Sequence, residues 1–205
     1  MNIIPPSFEI EPIDAPAMLR RIEAAGRVCY KSEDRITESS AERFVKMILK
    51  CGHESVLEHE KITARVICDR GVTHEIVRHR IASYSQESTR YCNYGGEKFG
   101  GLTFIKPCFW DEGSALYRLW HEQMASAEAS YLNLLGQGAK PEEARAVLPS
   151  SLKAELVMTM NLREWRHFFR LRLSPAAHPQ MREVAALCLQ ALAAEIPIVF
   201  DEFVH

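Results

Sequence analysis

Residues 78–91 read RHRIASYSQESTRY, with three arginines, a histidine, three serines, a glutamine and two tyrosines in fourteen positions. Arginine offers a planar, permanently charged fork that meets two phosphate oxygens at once. An extended chain over residues 86–90 puts Gln86, Ser88 and Arg90 on one side across roughly 13 Å, about the length of a mononucleotide. Arg78 and Arg80 share a side in an extended chain and oppose each other on a helix, so the run can serve two anions from two faces. The alternative is a solvated loop whose arginines pair with Glu75 and Glu87. That accounts for any single arginine, but loops this dense in convergent donors usually bind something.

A second basic group comprises Arg145, Arg163, Arg166, Arg170 and Arg172. On one helix Arg163, Arg166 and Arg170 line a single stripe, with Trp165, Phe168, Phe169 and Leu173 left for the core side. Taken alone this is a solvated amphipathic helix; beside the first cluster it is a second anion-site candidate.

Several familiar motifs fail on geometry. GGEKFGG (95–101) lacks the spacing of a dinucleotide-binding loop and does not join a strand to a helix. In HESVLEH (53–59) the two histidines are six apart, about 240° around a helix, so they cannot share one metal as a four-residue spacing would. No metal site is expected. No nucleophile elbow GxSxG is present, although composition leaves a serine or cysteine triad open.

The elements that must hold these residues follow from periodicity. Asp14–Tyr30 has helical spacing (Leu19, Ile22, Val28) with Asp14 as cap. Ser39 and Glu42 form a capping-box pattern opening a helix whose stripe is Phe44, Val45, Ile48 and Leu49, stopped by Gly52. Residues 60–69 alternate, with Ile62, Ala64, Val66 and Cys68 on one face, which specifies a strand. A short helix over 72–78 leads into the opening motif, and Leu102–Ile105 is a weak strand. Ser114–Leu135 is the longest helix, with Leu119, Trp120, Met124, Ala127, Tyr131, Leu134 and Leu135 inward. Pro141 starts another helix, which ends before Pro149. Leu152–Met160 fits a strand by alternation or a helix by composition; alternation favours the strand. Asn161–Leu173, with Asn161 as cap and Glu164 three residues on, and Pro179–Glu195 are helices. The expected architecture is one α+β domain over residues 1–205, with a central, mostly antiparallel sheet flanked by helices.

Composition bounds the class. The 205 residues carry a net charge of −2, which gives no whole-molecule attraction to nucleic acid. Six scattered cysteines without a CxxC pair point to a reduced, cytoplasmic setting. The first residues lack a basic segment followed by an apolar run, and no apolar stretch approaches the roughly 20 residues that span a bilayer. Neither membrane nor nucleic acid is an expected partner.

RHRIASYSQESTRY closely resembles the RHR-x7-S signature of flavin-dependent thymidylate synthases, with Arg78-His79-Arg80 and Ser88 in place. The likeness continues through GHESVLEH (52–59), ARAVLP (144–149), Asn161–Arg163, Arg172, and His178 beside Gln180. It implies conversion of dUMP to dTMP, with methylenetetrahydrofolate as one-carbon donor and FAD reduced by NADPH. It also implies a homotetramer whose active sites draw on several subunits. An FAD site in this family needs no GxGxxG loop, in keeping with the failed search.

Carried over by position, the resemblance implies FAD contacts at Ser55, Glu58, Arg78, His79, Arg80, Ile81, Gln86, Asn161, Arg163, His167 and His178. It implies a dUMP pocket of Glu75, Arg78, Gln86, Ser88, Thr89, Arg90, Arg145 and Arg172. His53 is similar to a residue beside the flavin ring where folate approaches, and Arg172, Ser88 and His53 are the catalytic candidates. Arg172 is similar to the arginine that favours an ionised uracil N3, while Ser88, with no adjacent base, suits binding and polarisation better than nucleophilic attack. The chain departs from common members at Ser85, Gln86, Glu75 and His167. Gln86 can hydrogen-bond a nucleotide but cannot accept a proton, so it carries no general-base role. The competing readings are a catalytically silent nucleotide- or RNA-binding protein on the same scaffold, and a flavin oxidase or a relative acting on another pyrimidine.

Overall fold

Two alternating segments build the centre of the computed structural model, which describes residues 1–204. The strands are β1 (Asn2–Ile4), β2 (Ser7–Ile10), β3 (Lys61–Asp69), β4 (Ala82–Gln86), β5 (Thr103–Ile105) and β6 (Lys153–Asn161). In β3, Ile62, Ala64, Val66 and Cys68 are buried; in β6, Ala154, Leu156, Met158 and Met160 are. Both follow the period of two that a pleated strand imposes, which decides 152–160 in favour of strand. The order in the four-stranded sheet is β2-β3-β6-β4. β3 and β6 run antiparallel: the Thr63 and Thr159 hydroxyls meet at 2.8 Å, and Leu162 N–H bonds Glu60 O at 3.0 Å. β1 and β5 form a separate parallel pair, in register Asn2↔Thr103 to Ile4↔Ile105. The expected antiparallel sheet with flanking helices is present.

The helices are α1 (Ala15–Val28), α2 (Ser40–Lys50), α3 (Arg70–Ile76), α4 (Ala115–Gly136), α5 (Pro141–Ala144), α6 (Leu162–Arg172), α7 (Pro179–Glu195) and α8 (Pro197–Phe200). Their starts are chemically marked. Asp14 Oδ1 accepts from Ala17 N–H at 2.9 Å, Ser114 Oγ from Tyr117 N–H at 3.1 Å, and Asn161 Oδ1 from Glu164 N–H at 2.8 Å. Among the described residues, no helix is long and apolar enough to cross a membrane.

The chain divides into two compact units. One comprises Met1–Ser7, Val66–Arg78 and Ser85–Leu156; the other Phe8–Arg65, His79–Tyr84 and Val157 onward. The first unit packs Tyr94, Leu102, Phe104, Trp120, Met124, Tyr131, Ala144 and Leu152 as its core. In the second, Trp165, Phe168, Phe169 and Phe200 are fully buried and meet mostly edge to face. There, a Cβ added to Gly26 of α1 would lie 2.5 Å from the Phe44 ring of α2. That contact makes the close approach of the two helices depend on glycine. Gly52, at φ +70°, ends the α2 segment as expected.

Some expectations are corrected. The Ser39–Glu42 capping box does not form; Ser40 Oγ instead accepts from Thr37 N–H and donates to Glu23, at 2.9 and 2.7 Å. Val28 and Leu119 carry helical apolar spacing yet are 52% and 56% exposed. Periodicity also gave no sign of β1 and β2, which are three and four residues long.

Candidate active site

α6 is the element on which the second unit's chemistry is hung. Its core face is Trp165, Phe168 and Phe169, and the remaining faces carry Arg163, Glu164, His167 and Arg172. His79, from the RHR run, is buried with its ring centroid 5.0 Å from Phe168 and 5.6 Å from His167. Its Nδ1 lies 3.0 Å from Glu164 Oε1, and its Nε2 lies 3.0 Å from Arg172 Nε. An arginine Nε–H can only donate, so Nε2 accepts and the proton sits on Nδ1, which donates to Glu164. The three side chains form a chain of hydrogen bonds with one consistent direction. Burial holds His79 below the usual histidine range, with Arg172 and His167 adding to the effect against the opposing pull of Glu164. Tyr84 O–H donates to His79 O at 2.6 Å, and burial followed by the charge of Glu164 pushes this phenol up to about 12.

Ligand atoms of His79, Glu164 and His167 all lie within 4.8 Å of one another, a spacing a divalent ion could use. The hydrogen bonds argue for a different use. Both ring nitrogens of His79 are engaged, and a metal there would face the Arg172 cation.

Arg163 forms an ion pair with Glu58, both half-exposed. Glu58, Ile81 and Asn161 line one cavity of about 490 Å³ with His59, Lys61, Ser83 and Thr159. Three predicted cofactor contacts far apart in sequence are thereby brought to one place. His53, Ser55, Arg80, His167 and His178 are all exposed. Arg166 and Arg170 overturn their assignment to an anion-binding stripe. Arg166 is 2% exposed, donates to Glu54 at 3.2 Å, to Glu202 at 2.6 Å and to Val199 O, and lies over the Phe203 ring. Arg170 bonds the same Glu54 at 2.5 Å. Both guanidinium groups, one buried and one at the surface, are committed to carboxylates of the protein itself. Burial alone would raise the Glu54 carboxyl, but Arg170 and Arg166 hold it below the usual range.

The first unit carries the predicted nucleotide contacts other than Arg172, which lies in the second. Gln86 Nε2 donates to Thr73 Oγ1 at 3.1 Å, and Arg145 Nη1 to Thr89 Oγ1 at 3.4 Å. Arg90 faces Glu142 at 3.4 Å and stacks on Tyr91. Ser88 Oγ accepts from Arg90 N–H at 3.3 Å, which suits binding rather than nucleophilic attack. Glu75 is half-buried and Arg78 exposed. The chain over 86–90 is not extended as expected. β4 ends at Gln86, and Tyr91 N–H and Cys92 N–H both return to Ser88 O. Within this turn Glu87 accepts from Tyr94 O–H at 2.9 Å, from Lys153 at 2.7 Å and from Glu155 N–H at 3.2 Å. Among the described residues it bonds these groups and not the arginines of the run. The contacts of Glu164, Tyr84, Thr73 and Glu87 are ones that spacing could not assign. His79 and Glu164, for instance, are 85 residues apart.

Comparison with known proteins shows the family of the chain. Residues 13–198 match the family described as thymidylate synthase complementing protein, a match that runs through both compact units. The flavin-dependent thymidylate synthase of Pyrococcus furiosus is 38% identical over 188 residues, covering 91% of this chain and 77% of that protein. That of Geobacter sulfurreducens is 32% identical over 188 residues, covering 88% and 80%. A crystal structure of a UMP/dUMP methylase from Streptomyces cacaoi, bound with 5-Br dUMP, superposes with a TM-score of 0.80. It is 24% identical and covers 100% of this chain and 97% of that one, a likeness of fold. The chain belongs to the flavin-dependent thymidylate synthase family. It is accordingly a methyl-transferring enzyme and a flavoprotein.

Proposed function

We propose that this chain converts dUMP to dTMP, with methylenetetrahydrofolate as one-carbon donor and NADPH as the source of reducing equivalents through FAD. The observation that carries the reading is the Arg172 guanidinium held on the histidine of the RHR motif, in a chain that matches the family along most of its length. The residues present suit the flavin dinucleotide. The cavity lined by Glu58, Ile81 and Asn161 joins amide and apolar lining with the cation of neighbouring Arg163, which is what a phosphate-bearing ring system requires. Arg163, now paired with Glu58, would exchange that partner to hold a diphosphate. Ser55, Glu58, Arg78, His79, Arg80, Ile81, Gln86, Asn161, Arg163, His167 and His178 would hold FAD, which when bound supplies hydride.

The other residues act on the substrate. Arg90 and Arg145 are offered to the nucleotide phosphate, with Arg78, Ser88 and Thr89 as further donors. Gln86 and Glu75 meet the base or sugar as neutral and anionic partners. Arg172 stabilises negative charge on the uracil N3 side, which makes C5 a better nucleophile. Ser88 binds and polarises, and His53 stands where folate would approach. The whole chain works as one catalytic domain of a cytoplasmic homotetramer, with active sites drawn from several subunits. Purified protein is expected to be yellow, and dUMP is expected to perturb the flavin absorbance. Failure to take up FAD under any loading condition would overturn the reading.

A further inference from the structure

The Glu164 carboxylate belongs to no predicted cofactor or substrate contact, yet it is 7% exposed and spends its hydrogen bond on the His79 ring. A buried carboxylate costs free energy unless it is paired, so its place needs a reason. Its effect passes through His79. By taking the Nδ1 proton at 3.0 Å, it leaves Nε2 as the lone-pair side, and only that tautomer can accept Arg172 Nε–H, also at 3.0 Å. The bond to His79 uses the Nε of Arg172 and so fixes the plane and direction of the guanidinium. Phe168 and His167 close on the ring at 5.0 and 5.6 Å, and the Tyr84 hydroxyl holds the His79 carbonyl, so the imidazole has little freedom to turn.

We propose that Glu164 is a positioning residue: through the tautomer of His79 it sets how Arg172 is presented to the substrate. The effect on turnover rests on the thymidylate-synthase reading; the tautomer does not.

The arrangement is also sensitive to acid. A second proton on His79 turns Nε2 into a donor facing a donor, and the bond to Arg172 is lost. The charged and titratable groups facing the ring are Glu164, Arg172 and His167 of α6, with the Tyr84 phenol near Glu164 and Arg172. Burial holds His79 below its usual range, so turnover falls only on the acid side of that range as pH decreases. Glu164 opposes this depression. Neutralising it lowers the histidine further, and the acid limb moves to lower pH.

The test uses the full-length, FAD-loaded protein. Nitrogen-15 imidazole spectra of the wild type at neutral pH are expected to show His79 protonated at Nδ1 and bare at Nε2. Glu164→Gln, which keeps the shape, is expected to give a mixture of tautomers. It should also shift the acid limb of kcat to lower pH and lower kcat about 10- to 100-fold, the usual cost of removing an orienting partner. A wild-type His79 protonated at Nε2, or a Glu164→Gln protein with unaltered tautomer and pH profile, would overturn the proposal. A correct tautomer in a protein that makes no dTMP would refute the assigned reaction and leave the relay standing.

Discussion

Arg172→Ala is expected to lose thymidylate formation by about 10²- to 10³-fold in kcat, the loss seen when one preorganised charge-stabilising donor is removed. Flavin content, read from the absorbance of the purified protein, should stay at the wild-type level. The asymmetry follows from where the side chain is anchored. Arg172 is held by its Nε to His79, so truncation removes a charge without taking away a residue of the core. Arg172→Lys should not restore the rate, because an ammonium cannot present a planar fork while bonding His79 from a separate nitrogen. Unchanged turnover in Arg172→Ala would refute the role assigned to this residue.

Arg166→Met should have the largest effect on stability. Removing one partner from a buried ion cluster typically costs about 3–5 kcal/mol, because the remaining charges lose their compensation. Here the loss is expected near the lower end, about 3 kcal/mol, because Glu54 retains Arg170 and Glu202 is half-exposed. For a chain of this size that is a fall of roughly 6–12 °C in Tm. Arg163→Met is the control: its pair with Glu58 is exposed on both sides and should be worth little. The same cluster sets an acid sensitivity. Glu54 lies below its ordinary value, so its contribution is present above the unfolded carboxyl range and is lost as pH falls through the folded value. Equal melting temperatures for Arg166→Met and wild type would show that the cluster adds no net stability.

The strands β3 and β6 were legible because period-two burial is written directly in their residues, and the caps of α1 and α6, Asp14 and Asn161, could be named from sequence. β1 and β2 were hidden by brevity and by Pro5 and Pro6 between them. The limits of a sequence reading are plainest at Arg166 and Arg163. The two lie three residues apart on one face of α6, and one is buried in an ion cluster while the other pairs at the surface. Helical spacing names the face; only the chain folding back through Glu54 and Glu202 decides what meets it. In the same way the RHR motif announced His79, whereas the Glu164 carboxylate that orients it could be recognised only from the fold. Glu164 carried a sequence signal as a first-turn acid three residues after Asn161, and that signal pointed to capping. The backbone cap forms, but the carboxylate goes to the histidine.

The most direct measurement is the fate of a labelled methylene carbon. FAD-loaded protein would be incubated with dUMP, NADPH and methylenetetrahydrofolate carrying carbon-13 in the transferred position. The expected product is dTMP with the label in its C5 methyl group, formed in step with NADPH consumption. Oxidation of NADPH with dUMP left unlabelled and unchanged would contradict the central claim.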